Sequence, residues 1–177
     1  MQYIIIALIS AILFGASTPI GKALLENLPP FQLAGLLYLG AALGVLPFSF
    51  HKQSGLKLHR IDRKNFLRII GAISLGGVLG PVLLLFGLQM TSSANVAMWL
   101  NLELAATAVL GFIIFKDHLG LYGWIGVTGT ILASVMLSWN EGDIGVYALL
   151  LVAGAGICWA LGNHLTAPID GITPAQS

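Results

Sequence analysis

Six runs of apolar residues, each about 20 to 24 long, fill most of this chain and leave it few folds to choose from. A helix needs about 20 such residues to cross the hydrocarbon core of a bilayer, and each run supplies that length. Inside the core every backbone N–H and C=O must be satisfied within the chain, which a helix does alone. The runs extend from Tyr3 to Leu25, Pro30 to Phe50, Ile69 to Met90, Ala94 to Phe115, Leu119 to Trp139 and Ile144 to Ala167. The chain therefore reads as an all-α, polytopic transmembrane helix bundle of six spans. Composition excludes a water-soluble domain: 8% of residues are charged and mean hydropathy is +0.92, against about 25% charged in soluble folds.

The connections are short and polar, as antiparallel neighbours require: Glu26 to Pro30, Thr91 to Ser93, Lys116 to His118, and Asn140 to Asp143. The exception is the stretch from His51 to Arg68, which holds six of the eight Lys and Arg residues. Placing it in the cytoplasm puts the N-terminus and Lys116 on the same side and leaves only Lys22 near the outer face, a strong inside bias. Nucleic-acid or anionic-lipid binding by this stretch is the alternative, but orientation already accounts for the charges. Met1-Gln2-Tyr3-Ile4 lacks the basic start of a secretory signal, so the first run is read as a span. The chain is thus assigned to the cell membrane, multi-pass, with its N-terminus cytoplasmic.

Small residues recur at helical spacing. Gly126, Thr130, Ser134 and Ser138 lie four apart in the fifth run, which also holds Gly120, Gly123 and Gly129, and Gly76, Gly77 and Gly80 precede Pro81 in the third. Such faces let helices approach closely where lipid offers no hydrophobic drive to association. Pro19 and Pro81 add sites where helices can bend around a cavity. A faint internal repeat aligns Ile12-Leu13-Phe14-Gly15-Ala16 and Pro30-Phe31-Gln32 with Ile157-Cys158-Trp159-Ala160-Leu161 and Pro174-Ala175-Gln176. With five spans before the second copy, the repeat would be inverted across the membrane.

An acid at mid-span is the residue that most asks for a function. Glu103 lies about nine residues from the outer end of the fourth run, roughly 13 Å deep at 1.5 Å per residue. A charge there costs several kcal/mol, which marks a solute or proton site, or else a structural residue hydrogen-bonded between helices. Thr107 and Gly111 continue its stripe, while Asn101 points nearly opposite, toward a different neighbour. Trp99 and Asn95 lie one and two turns above Glu103, as a cavity wall or as packing and interhelix hydrogen bonds. In the first run Gly15, Thr18, Pro19, Lys22 and Glu26 share a stripe expected to face protein or water, and the Lys22 stem is long enough to reach inward.

Other features have plainer readings. Trp139, Tyr147, Tyr122 and Trp124 sit where interfacial aromatic belts form. Cys158 reads as a small buried apolar residue. His51, His59, His118 and His164 show no ligand spacing, so no metal and no cofactor is expected. No GxSxG, P-loop, HExxH or CxxC pattern occurs, and an enzyme is not expected.

Phe14-Gly15-Ala16-Ser17-Thr18-Pro19 with Lys22 and Pro30, Gly87 to Ala94, Asn101-Leu102-Glu103, and Phe115-Lys116-Asp117-His118-Leu119 with Gly126 and Gly129 follow one another in a telling order. Together they resemble the EamA-type unit of the drug/metabolite transporter superfamily. The resemblance covers residues 1–140 as a first five-helix unit and makes 141–177 the first helix of a second. It implies two inverted units, a cavity between them, and export or exchange of a small organic solute (a metabolite or a drug) by alternating access. Asp117 stands where that pattern usually has Glu. Leu104 replaces a common Pro, so less kinking is expected, and Leu37 replaces a common Arg, which weakens any guess of an anionic solute.

The expected protein is thus part of a secondary transporter, with Glu103 binding solute or proton and Asn101, Trp99, Thr107, Asn95, Pro19 and Lys22 lining or supporting the path. Its partners are the lipid bilayer and the solute, not nucleic acid. A fragment of a longer product is expected ahead of a homodimer that completes its own cavity. The alternatives are a non-transporting scaffold of helix-binding faces and a small multidrug-type homodimeric exporter.

Overall fold

Six helices form a polytopic bundle with no strand among the described residues, which in this computed structural model are 2–49, 63–116, 118–139 and 142–167. They are α1 (Gln2–Leu24), α2 (Pro30–Ser49), α3 (Arg63–Met90), α4 (Ser93–Ile114), α5 (Leu121–Trp139) and α6 (Gly142–Thr166). Five are long and apolar enough to cross a membrane, and the shorter apolar stretch Pro30–Leu46 of α2 is the sixth. Most of the basic stretch, Asp117, and the second repeat copy's Pro174-Ala175-Gln176 lie outside the described residues.

The hydropathy boundaries shift where polar residues join a helix. α3 begins at Arg63, not Ile69, because Arg63, Lys64 and Arg68 continue the spiral, with Arg68 Nη1 donating to Asn65 Oδ1 at 3.1 Å. α5 begins at Leu121, two residues beyond the apolar edge. Ser92 starts α4 by accepting the Asn95 N–H at 3.2 Å, satisfying one of the free amides of a helix start. Lys116 ends it in a left-handed conformation, φ 56°, its N–H closing on the Gly111 carbonyl.

Packing is tight at one end of the bundle and open at the other. At the end carrying the α1–α2 and α3–α4 connections, Leu25, Leu33, Leu85, Leu88, Val96, Trp99, Ala148 and Val152 form the core. At the opposite end, residues from Ile4 to Phe14 of α1 and from Leu36 to Leu46 of α2 stand exposed. α1 packs mainly on the second half of α3 and the first turns of α4, and α2 packs on α3.

α6 runs between α3, α4 and α5. Its register against α3 is antiparallel: Gly71, Gly76, Gly80 and Gly87 oppose Leu165, Gly162, Trp159 and Val152 in turn. A Cβ on Gly87 would lie 2.8 Å from Val152 Cγ2 and 3.1 Å from the Ala148 carbonyl, so contact here requires its absence. The fifth helix does not use its glycines this way. Gly120, Gly126 and Gly129 have open space beside them, and Thr130 and Ser134 donate to carbonyls of their own helix, Gly126 and Thr130, both at 2.9 Å. Close approach belongs to α3 and α6 instead.

Candidate functional site

Glu103 sits where α4 leaves regular α-geometry. Asn101 N–H bonds the Met98 carbonyl at 3.2 Å, Glu103 N–H bonds Leu100 at 3.1 Å, and Leu104 N–H bonds Asn101 at 3.1 Å. Each spans three residues, not four, so the helix narrows to a 3₁₀ turn through Leu100 and Asn101. Asn101 Nδ2 also bonds Met98 O, at 2.9 Å, across the same turn.

The acid faces α6. A Cβ on Gly156 would lie 3.1 Å from both the Glu103 Cα and N, so the two helix backbones touch at this level. The Asn163 side chain, farther along the same face of α6, is the polar neighbour of the half-buried Glu103 carboxyl. One turn on, His164 Nε2 lies 3.4 Å from the Thr107 carbonyl. Glu103, Thr107, Asn163 and His164 thus make a polar seam between these two parallel helices.

Asn101 looks the other way. It opens onto a groove of about 570 Å³ between α4 and α5, with Met98, Thr130, Ser134, Leu137 and Trp139 along it. A second, almost wholly apolar groove of about 310 Å³ is lined by Leu102, Ala106, Val109, Ile131, Ala153 and Ile157. The opposed polar faces of α4 therefore meet different neighbours.

The remaining sequence candidates lie apart from the seam. Trp99 is fully buried in the core, its indole N–H without a partner, and it lines neither groove. Asn95 Nδ2 donates to Thr91 Oγ1 at 3.3 Å near the α3–α4 connection. Lys22 Nζ donates to the Leu88 carbonyl at 2.8 Å and the Gln89 carbonyl at 3.0 Å, capping the last turn of α3, where a cation complements the helix dipole. No ion pair joins it to Glu103 among the described residues. On the first-helix stripe, Thr18 is buried and Lys22 half-buried, but Gly15, Pro19 and Glu26 are exposed, so the stripe turns only partly toward protein.

Sequence reasoning missed Asn163 and Gly156. The signal for Asn163 was present, since Asn163-His164 is a polar pair inside an apolar run, whereas nothing distinguished Gly156 from the other glycines. No group of three or more His, Cys, Asp and Glu that could hold a metal ion occurs among the described residues.

Comparison with known proteins gives two matches. The profile of the EamA-like transporter family matches residues 1–139. A protein of Methanothermobacter thermautotrophicus, described as an uncharacterized transporter, is 30% identical over 182 residues, covering 91% of this chain and 52% of the relative. The chain thus spans about half the length of the curated relative it matches. No solved structure matches it.

Proposed function

Because this chain belongs to the EamA-like transporter family, we propose that it forms part of a secondary transporter of the cell membrane that moves a small organic solute by alternating access, with Glu103 as the solute- or proton-binding group. The observation that carries the assignment is an acid inside a membrane-spanning helix whose polar partner comes from another helix, at a point where the two backbones touch. An ionisable side chain at membrane depth costs several kcal/mol, and such groups generally mark solute and proton paths. Asn163 and the Thr107 turn belong to the same path in this reading, and Asn101 lines a separate groove. The basic residues after α2 support a cytoplasmic N-terminus in this reading.

Flux in proteoliposomes tests it. The purified chain is challenged with a panel of amino acids, nucleotide sugars and cationic dyes while an enclosed pH indicator follows protons. Glu103→Gln keeps the hydrogen-bonding shape but not the ionisable group, and should abolish pH-dependent flux while the protein still purifies as a folded species. Undiminished pH-dependent flux in that variant refutes the assignment.

A further inference from the structure

The middle of α3 contains a seven-residue π-helical segment, Ile73–Leu79. Here the Gly80 N–H bonds back to the Leu75 carbonyl, five residues away. The next residue is Pro81, which has no N–H. The Gly76 carbonyl is therefore abandoned in both registers: its α-helical partner, the Gly80 N–H, is taken by Leu75, and its π-helical partner would be Pro81. Two side chains from other helices fill the gap. Trp159 Nε1 of α6 donates to Gly76 O at 2.9 Å, and Tyr38 Oη of α2 donates to it at 3.1 Å.

We propose that the Ile73–Leu79 segment is a joint in α3, and that Tyr38 and Trp159 are the latch that holds it closed. The two sides of the joint are anchored very differently. Beyond it, Gly80, Pro81, Leu85, Gly87 and Leu88 are buried in the bundle, whereas Arg63–Ala72 and the π segment contain no buried residue. The first half is held instead by half-buried contacts with the far end of α6, Gly71 against Leu165 and Gly76 against Gly162, and can swing by parting from that end without breaking the core. The latch is built to fit: a Cβ on Gly80 would lie 2.8 Å from Trp159 Nε1, so only glycine lets the indole reach the carbonyl across it. An unpaired carbonyl is expensive in lipid, so releasing both donors must be matched by water or another donor reaching Gly76. π segments inside α-helices are frequent at functional places, and here one coincides with a break in the backbone ladder.

Hydrogen–deuterium exchange on the purified protein in micelles, resolved to the Gly76–Leu84 segment, tests this. Tyr38→Phe removes only the hydroxyl, and Trp159→Phe removes the indole donor. Each should speed exchange across the joint about tenfold, the equivalent of one hydrogen bond, with α5 unchanged. Pro81→Ala returns an N–H to the position that Gly76 lacks. In that background the same two substitutions should have little further effect on the joint. If exchange in Gly76–Leu84 is unmoved by Tyr38→Phe, if it rises equally in α5, or if the rise persists undiminished alongside Pro81→Ala, the latch is overturned. The readout needs no solute and stands apart from the role given to Glu103, so either can fail alone.

Discussion

Adding a single methyl group at Gly156 is the most direct challenge to the contact that places Glu103. An alanine Cβ there would stand 3.1 Å from two backbone atoms of α4, the Glu103 Cα and N. Carbon contacts are comfortable at about 3.5–4.0 Å, so roughly half an ångström must be found. Backbone atoms cannot rotate away, and α4 and α6 must part. Overpacking of this kind costs about 1–3 kcal/mol. Glycine-to-alanine exchange also favours a helix by about 0.5–1 kcal/mol, so the fair comparison is Gly40→Ala in α2, where the new methyl meets nothing within 4 Å. The helix term cancels between the two variants and leaves the 1–3 kcal/mol of crowding. At about 2–4 °C per kcal/mol, Gly156→Ala should melt roughly 2–12 °C below Gly40→Ala in detergent. Thermal unfolding followed by intrinsic fluorescence measures this. Equal melting temperatures, or a higher one for Gly156→Ala, would show that the two helices do not touch at Glu103.

Substitutions at two further residues probe structural roles now defined. Lys22→Met removes two charge-assisted hydrogen bonds from the end of α3 and should lower stability by about 2 kcal/mol, with Lys22→Arg much milder; chemical denaturation in micelles compares them. Trp99→Ala should cost about 3–5 kcal/mol as a core truncation, while Trp99→Phe, which also removes the buried N–H without a partner, should cost far less; equal losses would contradict the core placement.

The number, order and approximate limits of the helices follow from hydropathy alone, because a bilayer demands a length that few other environments do. Which side of each helix turns inward is harder to read. Lipid and protein interior are equally apolar, so Trp99 looks the same in the sequence as core or as cavity wall, and Ile12 the same as Leu88. Glu103 stands out because its cost in lipid does not depend on its neighbours. The partner of Lys22 is sixty-six residues away, and no local pattern records it. Gly156 is invisible for a related reason: a missing side chain carries no signal until the helix pressed against it is known. The π segment falls between these cases. Pro81 announces a lost N–H, but only tertiary contacts reveal that Tyr38 and Trp159 answer it.

The position of α6 bears on how the protein is made. Helices leave the ribosome in sequence, yet α6, which follows the other five, lies between α3, α4 and α5. A nascent chain halted after α5 has a vacant slot, with the acid of α4 turned toward hydrocarbon and the glycines of α3 toward nothing. Until α6 arrives, those earlier segments lack the helix against which they pack in the folded bundle.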